Sequence, residues 1–133
     1  MFSHVFIGIT DFQRAVSFYT PLMEALGIKQ RFCDPDRPWA GWQSSPAPRP
    51  MFVIAKPFDG NAPSPGNGSM IAFIANTRDQ VELSYNAALA HGGTSEGAPG
   101  LRPQYHENYY GAYFRDPDGN KLCVACHEPE QGK

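Results

Sequence analysis

One pattern occurs in both halves of the chain, and it constrains the fold more than any other feature of the sequence. A short apolar run typical of a strand, HVFIGIT in the first half and SMIAFIA in the second, precedes a threonine and, three positions later, a glutamine. Such a pair predicts a capping box at the start of a helix. The two pairs are Thr10 with Gln13 and Thr77 with Gln80. The sequence therefore predicts two copies of one small structural unit.

The alignment of the two copies is uncertain by one residue. The helix ends give an offset of 66 residues, from Gly27 to Gly93, since glycine is the residue that most often follows the last turn of a helix. The capping threonines give an offset of 67 instead, from 10 to 77. At the offset of 66, His4 in the first copy corresponds to Met70 in the second.

The elements that follow each capping box complete the unit. The first helix is expected to be amphipathic, and Pro21 inside it predicts either a kink or a restart with Thr20 as a new cap. Each helix is followed by about three short strand candidates. The last two, NYYGAYFRD and KLCVACH, are expected to form a hairpin around residues 117–119. Each copy thus has the order strand, helix and three strands.

These units predict the organisation of the whole chain. We assign a first module to about residues 1–57, a linker rich in proline and glycine to 58–68, a second module to about 69–127 and a tail to 128–133. A module of this kind has an open sheet edge. The two modules are therefore expected to pair in an α+β fold with a concave, partly closed mixed sheet. The same open edges predict a homodimer, with pairing either within one chain or exchanged between two.

Composition excludes several classes of partner. The chain has 133 residues, enough for one domain with a core, and a formal charge of −2, which gives no reason to expect nucleic acid or an anionic membrane. No apolar run approaches the roughly 20 residues that span a bilayer, and no signal peptide is evident. Three cysteines are too few and too uneven for a disulfide framework. A cytoplasmic protein is the expectation.

Two stretches, HVFIGITDFQRAVSFY and YYGAYFRDPDGNKLCV, with NAALAHGG closing the second helix, resemble the vicinal oxygen chelate superfamily of glyoxalases, extradiol dioxygenases and bleomycin resistance proteins. The resemblance covers roughly residues 1–127. It implies two paired βαβββ modules with a site in the concave sheet. It also implies that metal-using members take a histidine or similar ligand from the first strand of each module and a glutamate from the last strand.

The positions that the resemblance assigns to metal ligands are mostly changed in this chain. They are occupied by His4, Met70 and Cys123. A catalytic zinc usually has three protein ligands, and only the histidine is a ligand that matches the pattern. No metal cofactor is therefore expected. The alternative is a divalent metal such as zinc, nickel or manganese, held by His4 and unexpected partners.

Strand alternation predicts the lining of the concave face, because residues i and i+2 point to the same side of a sheet. Cys123 and Cys126 form a C-x-x-C pair but lie on opposite faces, so they cannot hold one ion. Cys126 is expected in the core. The expected lining, apolar and nearly uncharged and therefore suited to an aromatic or aliphatic ligand, is His4, Phe6, Met70, Ala72 and Cys123.

The segment GLRPQYHENYYG contains the remaining concentration of chemically useful side chains. Tyr105, His106, Tyr109 and Tyr110 could cover the mouth of the cavity. Tyr105 and His106 are the candidates for a catalytic role such as general base, and Tyr105 and Tyr109 for ligand binding. A purely structural loop rich in aromatic residues is the alternative.

Three functions are compatible with these features. The preferred one is binding of a small, largely apolar molecule in a concave cavity without a conventional catalytic metal. The alternatives are a metal-dependent lyase or isomerase of the lactoylglutathione lyase type and a dimeric interaction domain. The sequence identifies neither the ligand nor whether it is chemically changed.

Overall fold

The computed structural model describes residues 1–130. The tail predicted for 128–133 therefore lies partly outside the described residues. None of the helices in the described part is long and apolar enough to cross a membrane. The elements in chain order are β1 His4–Gly8, α1 Phe12–Leu26, β2 Lys29–Asp34, β3 Trp39–Gln43, β4 Met51–Ala55, β5 Ile71–Ile74, α2 Arg78–Ala90, β6 Thr94–Leu101, β7 Tyr110–Arg115 and β8 Lys121–Cys126.

The strands form two four-stranded mixed sheets with the same topology. The first has the order β1-β4-β3-β2 and the second the order β5-β8-β7-β6. In each, the first strand of the module runs parallel to the last strand, and the other pairs are antiparallel. This confirms the predicted α+β fold of two βαβββ modules. Within residues 1–130 the two sheets remain separate, and no strand pairing joins them.

The helix starts resolve the register between the modules. Thr77 caps α2 as predicted, because its hydroxyl accepts the amide N–H of Gln80. The prediction for α1 was wrong by one residue, since Asp11, and not Thr10, accepts the amide N–H of Arg14. From Asp11 to Thr77 the offset is 66 residues, the same as at the helix ends.

The first helix continues through Pro21 without a restart at Thr20. Residues on both sides of the proline are buried in one apolar stripe, among them Tyr19, Leu22 and Met23. Burial of large side chains outweighs the roughly 3 kcal/mol that a proline costs inside a helix. The helix ends at Gly27 as predicted, in a left-handed conformation with φ of 69°, which glycine adopts without a steric penalty.

Both helices pack on the same side of their sheets and share one core. Strand alternation predicted the side of Cys126 correctly: it is a core residue beneath the helix layer, as are Ile9 and Val124. The two tryptophans of β3 face opposite ways, with Trp42 buried and Trp39 half-buried beside Phe32. A ring contact between Phe52 and Phe73, with centroids 5.1 Å apart, joins the cores of the two modules.

A polar contact also joins the modules. The hydroxyl of Tyr19 in α1 donates to the carboxylate of Asp116 at 2.6 Å. The other oxygen of Asp116 accepts the amide N–H groups of Asp118 and Asn120, each at 2.9 Å. These bonds form the turn of the predicted β7–β8 hairpin, where Gly119 has φ of 89°. The DPDGN sequence thus shapes a turn and attaches it to the first module.

Candidate functional site

The loop between β6 and β7 folds back over the concave face of the second sheet. Backbone bonds hold it in a compact form: the Arg102 amide donates to the Tyr109 carbonyl at 2.8 Å, and the Tyr109 amide donates to the His106 carbonyl at 3.2 Å. The residue at the tip, Tyr105, also donates its amide N–H to Arg102. A loop with this many internal bonds presents its side chains in defined positions.

A groove of about 650 Å³ lies between this loop and the end of the linker. Three kinds of side chain line it: tyrosines and histidines from the loop and its surroundings, cations from the β7–β8 hairpin, and small residues from the linker. Its volume is within the range of small-molecule sites. The lining residues are Gly66, Asn67, Gly68, Ser69, Met70, Tyr105, His106, Tyr109, Tyr113, Arg115, Lys121 and His127.

Tyr109, Tyr113 and Cys123 make a hydrogen-bonded floor beneath the loop. The two tyrosine hydroxyls are 3.0 Å apart, and the Tyr109 hydroxyl is 3.6 Å from the Cys123 sulfur. Burial raises the pKa of Cys123, and hydrogen bonds from the two tyrosines offset this only in part. Burial also raises the pKa of Tyr109 and of Tyr113. All three groups therefore keep their protons near neutral pH, and Cys123 is a buried thiol.

His106 and His127 form a pair at the rim of the groove. The Nε2 atom of His106 is 2.9 Å from the Nδ1 atom of His127. The ring of Tyr109 contacts both imidazoles edge-on, with centroid distances of 5.7 and 5.2 Å. The ring of Tyr105 packs against the same tyrosine at a tilt of 51°, with the ring centroids 4.9 Å apart. The four rings form one aromatic cluster with polar nitrogen and oxygen atoms at its edges.

Cations, and no carboxylates, line this groove among residues 1–130. Lys121 lies with its ammonium 5.8 Å from the centre of the Tyr113 ring. Arg102 lies over the same ring at 5.5 Å. Arg115 is partly neutralised, since its Nε atom is 3.4 Å from a carboxylate oxygen of Glu96. The lining is thus more polar and more positive than the apolar face that the sequence predicted.

The structure distributes the residues predicted for the site over several surfaces. Met70 lines the groove and is 43% exposed. Phe6 lies with Met70 at a smaller neighbouring pocket, and Ala72 with Met70 at an apolar one of about 370 Å³. Cys123 is fully buried below Tyr109. Tyr105, His106 and Tyr109 lie together at this groove. Tyr110, by contrast, points away and donates to Glu82 at 2.7 Å.

The residues at the family's metal positions do not form a ligand set. His4 is exposed and its Nδ1 atom is bonded to the Ser3 hydroxyl at 2.9 Å. Met70 offers a weak thioether donor, and the Cys123 thiol is buried and retains its proton. Within residues 1–130, no group of three or more histidine, cysteine or carboxylate side chains is arranged to hold a metal ion. A hard divalent ion has no suitable set of donors here.

Eight residues of the groove were missed by sequence reasoning. Four lie at the end of the linker, Gly66, Asn67, Gly68 and Ser69, and four lie on or beside the hairpin, Tyr113, Arg115, Lys121 and His127. Tyr113, Arg115 and Lys121 could have been found, because each lies two residues from another position on the same face of the hairpin. His127 was predicted to continue the strand in line with Cys123. Instead β8 ends at Cys126, and His127 meets His106 across 21 residues of sequence.

Comparison with known proteins places this fold in a family. The model of the glyoxalase, bleomycin resistance protein and dioxygenase superfamily matches residues 1–124. The chain belongs to this superfamily. A search of curated protein sequences found no match.

Solved structures support the same conclusion. A glyoxalase/bleomycin resistance protein from Albidiferax ferrireducens T118 is 35% identical with a TM-score of 0.82, over 96% of this chain and 99% of that one. A glyoxalase-related enzyme from Fulvimarina pelagi is 18% identical with a TM-score of 0.71, over 95% and 87% of the two chains. A family enzyme from Burkholderia phytofirmans PsJN, 20% identical with a TM-score of 0.68, covers 95% and 98%. The last two show the fold alone.

Proposed function

We propose that this protein binds a small organic molecule in the groove between the Tyr105–Tyr110 loop and the linker. The observation that carries the proposal is the aromatic cluster, in which Tyr105, Tyr109 and two histidines line one concave space of about 650 Å³. Flat aromatic surfaces with a few polar atoms at their edges are typical of ligand sites. The ligand is held by its apolar body against the rings, with Met70 as a soft contact.

The proposed binding needs no metal. The donors at the family positions do not form a ligand set, and the groove is built from other residues. Purified protein is expected to carry well under one equivalent of zinc, nickel, manganese or iron, as measured by elemental analysis without chelator. A stoichiometric metal would favour the metal-dependent lyase or isomerase instead.

We also propose that the protein acts as a cytoplasmic homodimer. Phe6 on β1 and Ile74 on β5 are 47% and 71% exposed on edge strands, where a second copy would cover apolar surface. Free thiols at Cys33, Cys123 and Cys126 agree with a reducing compartment. Light scattering at micromolar concentration tests the dimer, and a monomer there would contradict it.

The binding proposal is tested with a fragment library that contains neutral and charged aromatic compounds. Hits are identified by thermal shift, because a ligand stabilises the folded state by mass action, and their site is mapped by NMR shifts. The double variant Tyr105→Ala with His106→Ala is expected to weaken groove binders at least about tenfold. The matched control is Phe58→Ala with His91→Ala, which changes an exposed aromatic residue and an exposed histidine outside the groove. Equal affinity in both double variants would show that the loop is structural.

A further inference from the structure

The charged side chains that line the groove are hydrogen-bond donors. Lys121 lines the groove and makes no ion pair with any residue in the described range 1–130. An ammonium group can only donate. Arg115, although it contacts Glu96 and donates to the Gly119 carbonyl at 2.8 Å, adds a second cation to the same lining.

The histidine pair adds another donor, because its hydrogen bonds determine the tautomer of each ring. The Asn108 amide N–H donates to the Nδ1 atom of His106 at 3.2 Å, so the proton of neutral His106 is on Nε2. That proton is donated to the Nδ1 atom of His127, 2.9 Å away. Neutral His127 therefore carries its own proton on Nε2. The chain of bonds runs in one direction and ends in an N–H donor of a residue that lines the groove.

The aromatic rings lie beside these donors. Tyr109 contacts Tyr105 and both histidines with centroid distances from 4.9 to 5.7 Å. A planar ligand placed against Tyr105 and Tyr109 would extend towards Lys121 along Tyr113, whose hydroxyl is 3.0 Å from that of Tyr109 and whose ring centre is 5.8 Å from the Lys121 ammonium. Among the lining residues of the described chain, no carboxylate is present to repel an anion.

We infer that the groove takes an aromatic carboxylate, with the ring against Tyr105 and Tyr109 and the carboxylate facing Lys121, while His127 offers a further donor at the opposite end of the groove. This inference rests on the proposed ligand-binding function and narrows it to one chemical class. A carboxylate accepts hydrogen bonds through both oxygens, and bonds with a charged partner are the stronger ones. An alcohol or amide of the same shape would leave the ammonium without a counter-charge.

The experiment compares the affinity of aromatic acids with that of neutral amides of the same shape. The probes are benzoate with benzamide, phenylacetate with phenylacetamide and naphthoate with naphthamide, with affinity measured by NMR titration and the site checked with the Tyr105→Ala, His106→Ala variant. The acids are expected to bind about tenfold more tightly than the amides. Lys121→Met, which keeps the length of the side chain, should remove most of that preference, because the acids lose more affinity than the amides when the charge is removed. Lys29→Met, at an exposed lysine of β2, is the matched control.

The outcomes separate the two proposals. If the amides bind in the groove as tightly as the acids, the carboxylate inference is overturned and the binding function stands. If the acid preference survives in Lys121→Met and in His127→Gln, the assignment of these donors is overturned. If no probe and no library compound shifts the groove resonances, the binding function fails together with the inference. Lys121→Arg, which retains a cation, should restore acid binding and shows that a loss in Lys121→Met is not caused by unfolding.

Discussion

Two polar centres lie near the β7–β8 hairpin, and they differ in whether all of their donors and acceptors have a partner within the protein. Asp116, in the turn, is 3% exposed and accepts from the Tyr19 hydroxyl, two amide N–H groups and the Asn120 side chain. The histidine pair at the other end of the hairpin is exposed, and its bonds end in a donor that no residue of the described chain accepts. One centre is saturated, and the other has capacity for a ligand.

The buried carboxylate therefore contributes to stability, whereas the exposed histidine pair is available for binding. A buried carboxylate with four donors holds two modules together, and removing it would leave buried donors unpaired. An exposed ring with an unused N–H contributes little to stability, because water satisfies it in the absence of a ligand. The most recognisable motif in the sequence, DPDGN, is therefore structural, and the less recognisable loop carries the candidate chemistry.

The largest effect is expected from Asp116→Ala. The substitution removes the acceptor for the Tyr19 hydroxyl and for the turn amides, so the free energy of unfolding should fall by about 3 kcal/mol or more. Urea denaturation measures it. The matched control is Asp59→Ala, an exposed aspartate that accepts only from Asn61 two residues on, where the loss should stay below about 1 kcal/mol. Similar losses at both positions would contradict a special role for the buried centre.

A smaller effect is expected from Tyr19→Phe, which removes one of the four donors. The expected loss at neutral pH is about 1.5 kcal/mol, because the substitution leaves the ring and its packing in place. Comparison with Tyr85→Phe, whose hydroxyl bonds to Ser95 at an exposed position, provides a control that should lose about 0.5 kcal/mol or less.

The same variant has a characteristic pH dependence. Burial, together with the charge of Asp116 and the hydrogen bond to it, raises the pKa of Tyr19 well above its ordinary value of 10.0. Below that pH the hydroxyl is protonated in both the folded and the unfolded chain. Above it the unfolded chain releases the proton while the folded protein retains it, so the stability contributed by Tyr19 decreases as pH rises. The difference between wild type and Tyr19→Phe should therefore shrink above about pH 10. A constant difference would show that the hydroxyl is not held in the protonated form.

The smallest effect on stability is expected from His127→Gln. Glutamine can still accept from His106, and the position is exposed, so the free energy of unfolding should change by less than about 0.5 kcal/mol. The substitution should instead change the tautomer of His106. Long-range proton–nitrogen NMR is expected to show His106 protonated at Nε2 in the wild type and a mixture of tautomers in the variant. A loss of stability as large as that of Tyr19→Phe would place His127 with the structural centre.

Local patterns were sufficient to predict the modules. The repeated strand and capping signal, the terminal Gly27 and the alternation along β8 each depend on residues within one turn or one strand. These patterns predicted the two helices, the side of the sheet on which Cys126 lies and the DPDGN turn. The prediction of a cap at Thr10 was wrong because threonine and aspartate are both good caps, and Thr10 and Asp11 are adjacent in the sequence. The Thr10 amide instead donates to Asp118, 108 residues away.

The sequence by itself determined that this chain has two βαβββ modules, since each module follows from residue identity at fixed local spacing. Only the tertiary structure decided which polar groups meet. Tyr19 reaches Asp116 across 97 residues and His106 reaches His127 across 21. Such contacts depend on how the loop folds over the sheet and how the helix of one module packs beside the hairpin of the other. No local pattern encodes these distances, because a hydrogen bond forms wherever packing brings a donor within about 3 Å of an acceptor.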